Sequence, residues 1–215
     1  MPKSIGIIGG TGPDGKGLAA RFAQAGFEVL VGSRSAERGE EAAQDIRERA
    51  GGNVRGAANA DAATADIIVV TVPYAGQADT LTALKEQIGS KIVISTVVPM
   101  VFEAGKVSMV PVPDGSAAQE MQRLLPDAKV VGAYQNLAAK KLFDVDHPLD
   151  GDVVITSDDK EALREVIWMT EQVPGLRGVN GGPLACSHYV EAITTLLVHI
   201  NRNYKTETNI KVVGI

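Results

Sequence analysis

The chain has 215 residues, of which 45% are apolar, with a formal net charge of −5 and a single cysteine. That length suits one large domain, or one domain with a small appendage, and the apolar fraction can bury a sizeable core. An acidic balance without a basic patch argues against nucleic acid as the main partner, and one cysteine excludes a disulfide framework or a Cys-based zinc site.

No apolar run approaches bilayer length, so no membrane partner is expected. The N-terminal MPKSIGIIGG has no signal-peptide layout. A soluble, cytoplasmic protein is predicted.

In chain order, short apolar runs alternate with longer amphipathic segments. SIGIIG predicts a buried strand, followed by a helix from about Gly15 to Gln24. FEVLVGS is a second strand and SAERGEEAAQDIRERA a charged helix. NVRGA is a short third strand and NADAATA a brief helix. DIIVVTVP lacks polar alternation, as in a strand covered on both faces. AGQADTLTALKEQI is the next helix and KIVISTVVP the fifth strand. This alternation implies right-handed crossovers and a doubly wound parallel sheet of the α/β class.

After Pro99 the pattern loosens. MVFEAGKVSMVPVPDG reads as loop, SAAQEMQRLLP as helix, AKVVGAY as a sixth strand and QNLAAKKLFDVDHPLDG as irregular. DVVITS, DKEALREVIWMTEQV and LRGVN resume strand, helix and strand, with Trp168 and Met169 expected in the core. A long amphipathic helix runs from near Pro183 to about Asn203, and NIKVVGI offers an edge strand. The predicted organisation is a Rossmann-type domain over residues 1–182 and a C-terminal helix and tail over 183–215. Apolar surface on that last helix predicts a homodimer.

The glycine-rich turn after the first strand fits two phosphate sites. From Gly10 to Lys16 it spells G-x-x-x-x-G-K, the skeleton of a triphosphate loop. Such a loop needs Ser or Thr directly after the lysine to hold magnesium, and here Gly17 follows. Neither DIIVVTVP nor KIVISTVVP ends in the acidic residue such sites also use. Gly10, Gly12 and Gly15 also spell the dinucleotide fingerprint G-x-G-x-x-G, placed between a strand and a helix as that motif requires. Gly10 suits the tight turn, Gly12 the close approach of a pyrophosphate, and Gly15 the packing of helix on strand. The helix N-terminus favours the negative charge.

The end of the second strand selects the cofactor. NAD-binding chains place Asp or Glu there for the ribose hydroxyls. This sequence has Ser33 and Arg34, with Arg38 one helical turn on, a set that grips a 2′-phosphate by charge-assisted hydrogen bonds. NADP(H) is the predicted cofactor.

With these residues, the sequence resembles the NADPH-dependent reductases of the deazaflavin coenzyme F420. The resemblance rests on GGTGPDGKGLAARFA, VGSRSAER, VPY after the fourth strand, VVP after the fifth and GPLACSHYVEAITTLLVHI near the C-terminus. It implies reversible hydride transfer between NADP(H) and F420. It also implies that Thr11, Gly12, Pro13 and Asp14 hold the pyrophosphate, and Ser33, Arg34 and Arg38 the 2′-phosphate. Thr71, Val72, Pro73, Val98 and Pro99 would border the nicotinamide. A segment at 134–150 would line the deazaflavin pocket, with Tyr74, Gln135, Asn136, Leu137 and Thr194 as substrate-side candidates. Gln135 stands where some relatives carry histidine. Lys140 or Lys141 would meet the anionic tail of F420.

Hydride transfer between two rings needs neither a nucleophile nor a metal, and the sequence has no triad or metal-ligand spacing. His147 reads as solvent-facing, His188 and His199 as satisfied helix histidines, and Cys186 as lacking a base partner. Two rivals remain open. One is an NADP-dependent reductase of an imine, ketone or metal ion, with Tyr74 or Tyr134 as proton donor. The other is a non-catalytic NADP-sensing protein.

Overall fold

The computed structural model describes residues 3–103 and 105–215. Strand β1 (Ser4–Ile8) leads into α1 (Pro13–Gln24), β2 (Glu28–Ser33), α2 (Ala36–Ala50), β3 (Val54–Ala58) and the short α3 (Asn59–Ala62). Then follow β4 (Ile67–Val70), α4 (Gln77–Ile88), β5 (Ile92–Ser95), β6 (Met100–Glu103), β7 (Lys106–Met109), α5 (Ala117–Leu124) and β8 (Lys129–Gly132). The chain ends with α6 (Ala139–Phe143), β9 (Gly151–Ser157), α7 (Lys160–Glu171), β10 (Leu176–Asn180) and α8 (Ser187–Tyr204).

Eight strands form one sheet in the order β10-β9-β8-β5-β4-β1-β2-β3. The run from β3 to β8 is parallel and has the six-strand order of a dinucleotide-binding sheet. Residues alternate strictly between two cores. Ile5 and Ile7 of β1 join Phe22, Ile46 and Met169 on one face, while Ile8 joins Ile68, Leu81 and Met121 on the other. A fully buried Leu81 or Ile68 is worth about 2 kcal/mol over an exposed one, and all four residues of β4 are of this kind.

Three helices begin where the sequence supplies an N-cap. Ser35 accepts from Arg38 N at the start of α2, Ser116 from Gln119 N at α5, and Asp159 from Glu161 N and Ala162 N at α7. Helix α1 starts two residues before the expected Gly15, because Pro13 fits the first helical position.

The structure corrects several expectations, among them the segment after β8 read as irregular, which contains α6. The sheet is mixed, since β9 runs antiparallel to β8 through Val131↔Ser157 and Gly132↔Thr156. The segment read as loop after Pro99 is an antiparallel hairpin, Met100↔Met109 to Glu103↔Lys106, turned at Gly105 with φ +76°. Two four-residue strands are too short to show a period. The expected C-terminal edge strand reduces to one antiparallel bridge, Asp152↔Ile210. Trp168, expected in the core, is half exposed and rests edge-on against Phe27 at 6.0 Å, while its neighbour Met169 is fully buried.

The hairpin carries α8. His199 Nε2 meets Val107 O at 3.2 Å, Thr195 Oγ1 lies 3.0 Å from Met109 Sδ, and Arg202 donates to Gly105 O at 2.7 Å. Among the described residues no helix is long and apolar enough to cross a membrane.

Candidate active site

A cleft of about 720 Å³ opens at the C-terminal edge of the parallel strands, where doubly wound sheets bind ligands. The predicted residues Thr11, Gly12, Pro13, Asp14, Ser33, Arg34, Arg38, Thr71, Val72, Pro73, Tyr74, Val98, Gln135, Asn136, Leu137 and Thr194 all line it. Gly10, Gly15 and Pro99 do not, and Pro99 belongs to a separate groove with Met109 and Tyr189.

At the glycine loop, the left-handed residue is Gly9, with φ +76°, so the tight turn falls one position before Gly10. Gly9 N donates to Asn59 Oδ1 at 3.2 Å. A Cβ on Gly15 would stand 2.6 Å from Gly10 Cα, so these two glycines let α1 pack against the loop rather than face the cleft. A Cβ on Gly12 would meet nothing nearer than Gly9 O at 3.8 Å, which leaves a cradle of open space. Gly12 caps α1 without a side-chain partner, so the first-turn N–H groups stay available to an anion. Desolvation at the loop pushes the Asp14 carboxyl up from its ordinary range, although the residue as a whole is exposed.

Ser33 is buried at the end of β2, with Arg34 and Arg38 exposed beside it. The nearby ion pairs, Lys16–Asp45 and Arg47–Glu40, leave both arginines without a carboxylate partner among the described residues. Two unpaired guanidiniums and a hydroxyl fit a 2′-phosphate and not a bare ribose.

The middle of the cleft is fixed by strand-end hydroxyls. Thr71 Oγ1 donates to Ile8 O and Thr96 Oγ1 to Val70 O, both at 3.0 Å. Val72, Pro73, Val97 and Val98 then present an apolar shelf.

The segment after β8 forms the next wall, and it is held under strain. Tyr134 has φ +70°, a costly conformation for an aromatic residue. Its ring stands edge-on to Phe22 at 5.7 Å and its hydroxyl bonds Thr170 Oγ1 at 2.8 Å. That hydroxyl is turned to Thr170 in the core, whose own proton goes to Val166 O, and burial pushes the phenol far up. Beyond it, Asn136 Nδ2 donates to Val190 O and to Thr194 Oγ1, each at 2.9 Å, and Thr194 Oγ1 donates to Gln135 O at 3.0 Å. Gln135 Nε2 donates to Ser95 O at 3.2 Å, while its Oε1 is buried without a partner.

Tyr74 lines the cleft half-buried, and burial together with Glu120 raises its phenol above the ordinary range. Among the described residues no cluster of three His, Cys, Asp or Glu side chains could hold a metal. His147 bonds Asp144 at the surface, and His188 Nδ1 meets Gly115 O at 2.9 Å. Lys140 pairs with Glu207 at 3.5 Å and borders a neighbouring hollow with Lys16 and Arg49.

Several contributors escaped the sequence reading. Leu197, Val198 and Asn201 of α8, Met100 of the hairpin and Thr208 of the tail also line the cleft. The first three follow Thr194 at helical spacing, a legible signal; nothing marks Thr208. Arg21 of α1 is fully buried and donates to the carbonyls of Lys141, Leu142, Asp144 and His147. Glu191 of α8 is also fully buried, accepting from Ala117 N at 3.0 Å and Ala118 N at 3.1 Å. Desolvation lifts its carboxyl to about 7, partly offset by those two N–H groups.

Fold and site together define a Rossmann-type dinucleotide-binding oxidoreductase, with two arginines that have no ion-pair partner among the described residues at one end of its cleft. The family described as NADP oxidoreductase, coenzyme F420-dependent, matches residues 4–99. An F420-dependent NADP reductase of Methanothermobacter thermautotrophicus is 37% identical over 224 residues, covering 100% of this chain and 97% of its own. That of Methanothermobacter marburgensis is 40% identical over 205 residues, covering 92% of each. A crystal structure from Arthrobacter sp. FB24, described provisionally as an F420-dependent NADP-reductase, superposes with a TM-score of 0.84 at 24% identity, covering 100% of both chains. The chain belongs to the F420-dependent NADP reductase family.

Proposed function

We propose that the protein transfers a hydride reversibly between NADP(H) and coenzyme F420, in the cleft at the strand ends. The observation that carries this is one continuous cleft joining a 2′-phosphate grip at Arg34 and Arg38 to an apolar pocket walled by the 134–138 segment and α8. Bound there, the two coenzymes would supply the chemistry, a hydride exchanged between nicotinamide and deazaflavin with one proton taken up or released by the deazaflavin.

The protein's own residues bind and orient. Gly12 and the first-turn N–H groups of α1, that of Asp14 among them, hold the pyrophosphate. Ser33, Arg34 and Arg38 hold the 2′-phosphate. Thr71, Val72, Pro73 and Val98 support the nicotinamide, and Gln135, Asn136, Leu137 and Thr194 shape the deazaflavin side. Apolar Val98, Leu137, Leu197 and Val198 keep water from the transfer path, which orientation within one dry cleft favours.

Residues 1–182 serve as the NADP-binding unit and 183–215 complete the cleft. The protein works as a cytoplasmic homodimer, with exposed Tyr189 and Leu196 of α8 as interface candidates.

The test is anaerobic mixing of the protein with F420 and NADPH while the deazaflavin absorbance is followed. Bleaching with NADPH and not with NADH supports the reading. NADP binding without bleaching refutes it.

A further inference from the structure

One wall of the cleft is a single face of α8, on which Thr194, Leu197, Val198 and Asn201 follow at i, i+3, i+4 and i+7. Two apolar side chains lie between two polar ones. Past Tyr204 the chain turns through Lys205, at φ +50°, and comes back so that Thr208 reaches Asn201. Thr208 N donates to Asn201 Oδ1 at 2.8 Å, and Thr208 Oγ1 to the same oxygen at 2.7 Å.

A backbone N–H can only donate, so these contacts fix which end of the carboxamide is oxygen. With Oδ1 doubly engaged, Nδ2 is the end left over. Among the described residues it has no acceptor, yet it is not sealed in the interior, and both Asn201 and Thr208 line the cleft. The tail of the chain therefore holds an oriented, unused N–H donor at the end of an apolar strip.

We propose that Asn201 is a specificity-determining residue for the deazaflavin, its Nδ2 donating to a carbonyl of the ring's pyrimidinedione edge while Leu197 and Val198 pack on the ring. This rests on the reading of the cleft as the F420 site. An aromatic ring with a carbonyl edge satisfies the donor, and one without it leaves the donor desolvated and unpaired, which discriminates against it. Thr208 is the positioning residue, acting through Asn201.

The experiment titrates oxidised F420 into protein saturated with NADP+, where no turnover occurs, and reads the deazaflavin fluorescence. Asn201→Asp keeps the oxygen that Thr208 engages and replaces only the donor. It is expected to weaken F420 binding about tenfold or more, with the NADP+ dissociation constant changed by less than about twofold. Asn201→Leu, which also removes the Thr208 contacts, should weaken F420 binding by at least about fivefold, and serves if Asn201→Asp melts early. The deazaflavin riboside, which has the ring but no phosphate tail, should show the same loss. An unchanged F420 constant overturns the proposal, as does a loss confined to F420 with its tail or one larger for NADP+. If the wild-type protein neither binds nor reduces F420, the functional reading falls and this inference with it. If the wild type does both and Asn201→Asp binds normally, only the role of Asn201 is removed.

Discussion

Arg21 on α1 donates through Nε to the carbonyl of Leu142 at 2.8 Å, although 121 positions separate them in the chain. The same guanidinium reaches the carbonyls of Lys141, Asp144 and His147. One buried cation thus satisfies carbonyls at the C-terminal end of α6 and in the turn after it, and that segment places Leu142 in the cleft wall. Replacing Arg21 by Met removes the donors and leaves several carbonyls desolvated. Urea unfolding should show a loss of about 3 kcal/mol or more, and a loss below about 1 kcal/mol would show that water replaces the guanidinium.

Among the described residues Arg34 and Arg38 make no ion pair, so with the proposed 2′-phosphate grip their replacement removes cofactor contacts and little else. Arg34→Ala should raise KM for NADPH about 10- to 100-fold, as expected for a charge-assisted bond to phosphate. KM for NADH, which has no 2′-phosphate, should change little. Steady-state kinetics with both nucleotides check this, and an equal effect on the two would remove the 2′-phosphate assignment.

Glu191 is a buried carboxylate with a raised pKa, so its contribution to stability has a definite sign. The unfolded carboxyl ionises near 4.5 and the folded one near 7. Between those values the folded state holds the extra proton, so stability falls as pH rises through that window and levels off above it. Relative to Glu191→Gln, the wild type should lose up to about 3 kcal/mol from pH 4.5 to pH 7. Denaturation curves at pH 5 and pH 8 measure it, and a difference independent of pH contradicts the shift.

Tyr134 holds its strained φ because its ring and hydroxyl are anchored at the far end. Tyr134→Phe keeps the ring stack and loses the Thr170 bond, while Thr170 keeps its bond to Val166 O. The expected cost is about 1 kcal/mol, seen by thermal or urea unfolding. Tyr134→Ala loses the anchor and keeps the strain, and should weaken F420 binding more than NADP+ binding.

Much of this was legible because hydrophobic period and glycine spacing are local signals. The parallel strands and the helices beginning near Ser35, Ser116 and Asp159 follow from neighbours in sequence. What was missed depends on distant partners. Nothing local marks Arg21 for burial, because its carbonyls arrive from the 141–147 segment. Trp168 reads as core until its neighbours leave it at the edge of Phe27. The antiparallel entry of β9 is fixed by pairing with β8, and its own residues do not encode a direction. Thr208 joins the site only because the chain reverses after Lys205.

In the proposed reaction the hydride passes directly between two coenzymes in one cleft, with the protein orienting and not relaying. The most direct measurement supplies NADPH deuterated on the transferred face of C4 and locates the label by mass spectrometry or NMR after reduction of F420 in ordinary water. One deuterium is expected at C5 of the reduced deazaflavin and none released to solvent. Label lost to water, or F420 left oxidised, would contradict direct transfer.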